Sequence, residues 1–487
     1  MSVTDRIVKG FKATFGARIT SNVANGLLML VLARLLLTPD EYGLLFLVIS
    51  IVAVAQLGAD LGIARSAARY VSERKESEPS TIPFILRTSL RYRLVLIGIV
   101  GVGLALGRDR IADVLGEPAL SPLLLVGALY LAVQSIYAYY LALFQGFNRV
   151  DLSATIEVVN NVVRLAFVVG LAALGLGVAG ALFGYVVGAA LGVAVGSVLF
   201  YRRYKSYEDG GGDRSLRNRI LKYSVPLTAT HGASVIDQRV DTVLVAYFVN
   251  PVAVSYYVLG KQLSEFIMVP ASSLGFSVSP TYGEQKANEA LDRAARIYET
   301  TLQYVFLLYI PAAVGILLVA EPAIELIFGS AYAGAGPVLQ VFGIYVVFQA
   351  VTKVTTNGLD YLGRANARAV AKGTTSVANA GLNVLLIPLY GATGAAAATV
   401  ITFGTYTLAN CYVMHRELSL DLVRIARSLC LASAIAGGMG LAVVVLVPYA
   451  STIPSLAGVI AVGVAVWGAL ATLSGLVDPR ETIATLT

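Results

Sequence analysis

Charge is what this sequence has least of. Only 13% of its 487 residues are Asp, Glu, Lys or Arg, against about 25% in soluble domains. A globular protein of this length needs a charged surface, whereas a chain facing lipid can omit one. There are two cysteines, Cys411 and Cys430, both in or beside apolar stretches. That excludes a disulfide framework and a cysteine-based metal site. The two histidines, His231 and His415, stand far apart and no HExxH occurs, which argues against a catalytic metal. No phosphate-binding GxxxxGK[ST] occurs either, so ATP-driven work would need another subunit. Gly175-Leu176-Gly177-Val178-Ala179-Gly180 fits a dinucleotide fingerprint. It has no preceding strand and no acidic partner, and reads as a turn. The sequence therefore points to no cofactor.

What is abundant is apolar: 57% of residues. A bilayer core of about 30 Å needs roughly 20 mainly apolar residues in a helix. Fourteen segments qualify, near 15–37, 42–64, 84–106, 120–144, 155–174, 178–202, 222–248, 254–280, 300–320, 335–357, 368–388, 393–414, 428–447 and 455–476. The expected fold is an all-α polytopic membrane protein. No small-residue cleavage site interrupts the first segment, which reads as a retained first helix.

The net charge of +7 raises nucleic acid as a partner, but the distribution of charge assigns it to topology instead. With the N-terminus inside, 29 of the 36 Lys and Arg fall on inner segments. Those at 65–93 and 202–222 carry seven each, while the outer connections hold only Arg108 and Arg110. This is the positive-inside asymmetry. It supports an even number of spans and places both termini in the cytoplasm of a cell-membrane protein.

The two halves of the chain repeat each other. Thr38-Pro39 follows the first span and Asn250-Pro251 the seventh. Tyr70-Val71-Ser72-Glu73-Arg74-Lys75 ends the second, and Thr281-Tyr282-Gly283-Glu284-Gln285-Lys286 the eighth. Gly177-Val178-Ala179-Gly180-Ala181 opens the sixth, and Gly391-Ala392-Thr393-Gly394-Ala395 the twelfth. The offset stays near 212 throughout. Six spans per copy make this a parallel repeat about an axis along the membrane normal, which implies two lobes and a cleft. The expected organisation is a first lobe at 1–204, a cytoplasmic linker at 205–221, a second lobe at 222–414, and two added spans with a tail at 415–487.

Ionisable groups within spans are costly and mark cavities, pathways or structural pairs. Asp237 and Asp241 share a face of the seventh span, with Arg239 between them pointing elsewhere. Glu157, Asn161 and Arg164 form one stripe on the fifth; Glu157 either neutralises Arg164 or leaves it to line a cavity. Lys261 and Glu265 are an i, i+4 pair with the same two readings. Arg34, Asp60 and Lys353 stand near span ends, where snorkelling or a basic neighbour such as Arg65 competes with a place in a cavity. Gly180, Gly184, Gly188, Gly192 and Gly196 recur every fourth residue, the spacing that lets helices approach closely.

Leu32-Ala33-Arg34-Leu35-Leu36-Leu37, then Pro39 and Glu41-Tyr42-Gly43, resembles the first-span exit of prokaryotic oligosaccharide flippases. These belong to the multidrug/oligosaccharidyl-lipid/polysaccharide exporter superfamily. Gly363-Arg364-Ala365-Asn366 and the Gly-Ala-x-Gly-Ala opening of the twelfth span are also similar. The resemblance covers the whole chain. It implies a transporter, not an enzyme, that moves a polyprenyl- or dolichyl-linked oligosaccharide from the cytoplasmic to the external leaflet by alternating access. Membrane lipids would be partners, as would the glycosyltransferases or polymerase of a glycan assembly pathway. Such a headgroup is an anion that cannot cross hydrocarbon unassisted, and arginine suits its phosphate oxygens. An inside-negative potential favours its outward movement by about 2.3 kcal/mol per charge per 100 mV, so coupling to Na⁺ or H⁺ is compatible but not required. The two C-terminal spans, which lack charge, resemble a pair that forms a lipid groove in some relatives. Ordinary packed helices is the competing reading.

Two rivals stand beside this one. A cation-coupled multidrug exporter on the same scaffold would favour acidic groups in an aromatic pocket. A membrane-embedded glycan polymerase or ligase would carry a large external loop, and the outer connections near 107–119 and 321–334 are short for that.

Overall fold

The computed structural model describes residues 20–204, 207 and 214–475, with backbone alone at 203, 214, 225–227, 229–231 and 233. Residues 15–19 of the first expected span, residues 205–206 and 208–213 of the expected linker, and the tail with Arg480 lie outside the described residues. Among the described residues the fold is entirely helical, and nine helices are long and apolar enough to cross a membrane. Two of the nine are each a bent pair, so the expected count of fourteen spans is compatible with these elements.

Residues Met1–Val254 form one compact unit and Ser255–Thr487 another. The first contains α1 (Thr20–Leu36), α2 (Pro39–Asp60), α3 (Ile63–Arg74), α4 (Ile82–Val114), α5 (Leu120–Gly146), α6 (Val150–Leu171), α7 (Gly177–Tyr204) and α8 (Arg214–Phe248). Thr38 starts α2 with a capping box: its hydroxyl accepts from the Glu41 N–H, and Glu41 answers at the Thr38 N–H. This satisfies two orphan donors at once. The helix stops at Asp60, where Leu61 and Gly62 both turn left-handed. Here α8 packs against α2 and α3, so the packing division falls at Val254 and not at the linker that separates the sequence repeats.

The second unit contains most of α9 (Pro251–Phe266), then α10 (Val269–Ala287), α11 (Leu291–Phe328), α12 (Ala335–Tyr361), α13 (Ala365–Leu418), α14 (Leu422–Leu446) and α15 (Ile453–Leu473). The C-terminal pair packs on α11. The Trp467 indole N–H donates to the Leu307 carbonyl at 2.9 Å, and buried Glu299 accepts from Arg424 at 3.0 Å.

The sequence repeat is also a repeat of backbone conformation. The α6–α7 bend passes through Gly177 at φ 48°, ψ −133°, and the bend inside α13 through Gly391 at φ 59°, ψ −138°. Only glycine adopts such angles freely, which explains why both copies open this helix on glycine. Lys75 donates to the Gly146 carbonyl at the end of α5, and Lys286 to the Leu362 carbonyl at the end of α12. A cation satisfies an orphan carbonyl at a helix C-terminus in each case.

Candidate functional site

The polar stripe on α6 is built against α1 and α7. Gly188 of α7 leaves no room for a Cβ, which would stand 2.7 Å from the Arg164 Cβ. At Gly184 it would stand 2.4 Å from the Val168 backbone nitrogen. The glycine spacing therefore presses α7 onto α6 and fixes where Arg164 emerges. Its guanidinium donates from Nη2 to Asn25 Oδ1 at 2.5 Å and to Asn161 Oδ1 at 2.9 Å, and stands 5.1 Å from the Tyr185 ring centroid. Its Nε is enclosed and has no protein partner. Glu157 takes the Ser21 hydroxyl at 3.2 Å, and Ser21 in turn accepts from Asn161 at 2.6 Å. The chain Glu157–Ser21–Asn161–Arg164–Asn25 links charges of opposite sign through neutral groups, and no ion pair joins Glu157 to Arg164.

Asp60 and Arg239 meet at a second place in the same unit. A cavity of about 230 Å³ opens between α2, α4, α5 and α8, and both residues line it with Gln56, Gln134, Thr228 and Gln238. Asp60 forms an ion pair with Arg93, not with Arg65. Arg93 is 1% exposed and also donates from Nε and Nη2 to the Ser135 carbonyl, at 3.0 and 2.6 Å. Each of its three guanidinium nitrogens thus has an acceptor. Among the described residues no carboxylate pairs with Arg239. It lies within electrostatic reach of Tyr130 and Tyr185, as does Arg164. The two arginines therefore act on one shared region of this unit.

The remaining candidates stand elsewhere. Asp241 is fully buried and Asp237 partly, and both have partners within the protein. Arg34 is exposed in a π-helical turn that ends α1, beside the carbonyls that close that helix. In the second unit, Lys261 donates to the Tyr257 hydroxyl at 3.5 Å and lies 5.4 Å from its ring centroid, while Glu265 and Lys353 are exposed.

Sequence reasoning missed Arg93. It was counted with a basic loop at 65–93, whereas α4 begins at Ile82. The signal was present: Ile82, Ile85, Ser89, Arg93 and Ile97 recur at helical spacing, and all are buried. The glutamines Gln56, Gln134 and Gln238 were also missed. Three amides in apolar helices carry no charge to mark them.

Around these groups lies a bundle whose fold is known. A solved structure of the lipid II flippase MurJ, in its inward closed conformation, aligns with 98% of this chain and 100% of its own, at a TM-score of 0.78 and 15% identity. That likeness is one of fold, and together with helices of membrane-crossing length it defines a multi-span membrane protein. Within that class, the chain belongs to the polysaccharide biosynthesis protein family, which it matches over residues 31–337. It is 22% identical over 386 residues to the probable low-salt glycan biosynthesis flippase Agl15 of Haloferax volcanii, covering 79% of this chain and 78% of that one. It is 26% identical over 362 residues to the lipopolysaccharide biosynthesis protein WzxC of Escherichia coli, covering 72% and 69%.

Proposed function

We propose that this protein flips a lipid-linked oligosaccharide from the cytoplasmic to the external leaflet of the cell membrane, and that Arg164 and Arg239 receive its anionic headgroup. The observation that carries the site is their shared lack of a carboxylate partner. Arginines inside a bundle normally pair with an acid, yet Arg164 is held by two asparagines and Arg239 by no ion pair. Positive charge held by neutral dipoles, as at Arg164, is complementary to a phosphate or diphosphate. Family membership and the names of the relatives support the same reading.

Transport, not bond-making, suits these groups, since no nucleophile–base pair is assembled with them. Both termini lie in the cytoplasm on this account. Glycosyltransferases would supply the cargo, and a Na⁺ or H⁺ gradient is a compatible but unnecessary drive. The multidrug alternative fits less well, because the one carboxylate among the described residues of the cavity wall, Asp60, is already paired with Arg93, where an organic cation would need an uncompensated acidic group.

The test is translocation in proteoliposomes, with a fluorescent diphosphate-linked oligosaccharide and a membrane-impermeant quencher. Wild type moves the lipid, and Arg164→Gln and Arg239→Gln each slow it by about tenfold or more, the loss of one charge-assisted contact. Unchanged rates in both folded variants would remove the arginines from the site.

A further inference from the structure

The cavity beside Arg239 has a composition that a phosphate site does not need. Its polar lining is three carboxamides, a hydroxyl, one carboxylate and two guanidiniums, from Gln56, Gln134, Gln238, Thr228, Asp60, Arg239 and Arg93, the last of them paired with Asp60. Phosphate oxygens only accept hydrogen bonds. A carboxamide offers an acceptor and two donors in one plane, and a carboxylate offers acceptors alone. Such a set fits a ligand whose every group both donates and accepts, which is the chemistry of vicinal sugar hydroxyls. Asp60 is poised for that part. Arg93 fixes one side of its carboxylate and offsets its charge, and Asp60 itself remains 19% exposed at the cavity edge.

Size limits the occupant. About 230 Å³ lies below the roughly 300–1,000 Å³ typical of drug-sized pockets, and suits a single pyranose. The apolar part of the wall is aliphatic, from Leu57, Leu61 and Val235, with no aromatic ring among the described lining residues. Such a wall meets the C–H face of a sugar and offers nothing for a planar organic cation to stack on. With Asp60 and Arg93 mutually neutralised, Arg239 leaves one net positive charge at the cavity.

We infer that this cavity is a monosaccharide subsite, holding the sugar joined directly to the phosphate while Arg239 meets the phosphate itself. The inference rests on the headgroup reading above and adds to it a place where the first sugar is recognised. Arg93, which also lines the cavity, acts here chiefly as a positioning residue: its ion pair holds the Asp60 carboxylate in place.

The experiment is a binding measurement on the full chain in detergent, so that it does not depend on transport. Titration calorimetry would compare a panel of hexose 1-phosphates, neutral, N-acetylated and uronic, with inorganic phosphate. At least one hexose 1-phosphate binds about tenfold or more tighter than phosphate, the worth of one or two good hydrogen bonds. Gln134→Leu and Gln238→Leu remove that advantage while phosphate binding stays within about twofold, which also reports that they are folded. No preference over phosphate across the panel would overturn the subsite, as would a preference that survives in both variants. Failure here leaves transport to be judged by translocation. Conversely, a sugar preference without any lipid movement would overturn the flippase reading and keep the subsite.

Discussion

Arg164 donates to Asn161, one turn behind it on α6, while Glu157, a further turn back, is bonded to Ser21 of α1. The spacing of these three residues suits an internal ion pair, and the structure declines it. The two charges are relayed through Ser21 and Asn161, which leaves the Arg164 charge uncompensated by direct contact. Glu157→Gln therefore keeps the hydroxyl contact with Ser21 and retains lipid movement within about threefold, whereas Arg164→Gln loses about tenfold or more. Comparing the two variants in one translocation assay checks this.

Asp60 and Arg93 form an enclosed ion pair in the first unit, with the Arg93 side chain 1% exposed. Breaking a buried pair from one side strands the other charge, at a cost of about 3–5 kcal/mol. Asp60→Asn and Arg93→Met each lower the thermal midpoint in detergent strongly. The double variant is less destabilised than the sum of the two, because the pair is coupled. Strict additivity in that cycle would mean that the contact is not an energetic one.

Gly188 is required by proximity and Gly391 by conformation. Gly188→Val drives its side chain into Arg164 and costs about 1–3 kcal/mol as an overpacked contact. It lowers transport together with stability, because it displaces the arginine. Gly391→Ala meets no atom within 4 Å and costs about 1–2 kcal/mol through its left-handed backbone alone. Gly437→Ala, in open space at ordinary helical angles, is the control and leaves the midpoint unchanged. Thermal shifts of the three variants separate these cases.

Glu299 ties the C-terminal pair to α11. Its carboxylate accepts from the Asp421 N–H at 2.8 Å as well as from Arg424. Glu299→Ala removes both partners of the start of α14 at once. Proteolysis or hydrogen exchange in the 419–427 segment then rises severalfold over wild type, while the helices of the first unit keep their protection.

Much of the fold was legible because a membrane span writes itself in about twenty apolar residues, a longer signal than any soluble helix gives. The bends at Gly177 and Gly391 were visible as a repeated Gly-Ala pattern, and their matching backbone angles explain it. The site was less legible. Arg239 and Asp60 stood out as charges among apolar neighbours, but nothing in their spacing joins them, since α2 and α8 are about 180 residues apart in sequence. Arg93 was hidden among surface arginines at the head of α4, and the three glutamines were hidden by their neutrality. Pairing across helices is a property of the packed bundle, and no local pattern records it.

The measurement that bears most directly on the central claim is the fraction of a fluorescent diphosphate-linked oligosaccharide that becomes accessible to an external quencher in liposomes carrying the wild-type chain. The account predicts accessibility that rises past the outer-leaflet half toward completeness, faster than in protein-free liposomes, and that falls back with Arg164→Gln. Movement no faster than in protein-free liposomes across several sugars and lipid carriers, together with export of a cationic dye by the same preparation, would contradict it.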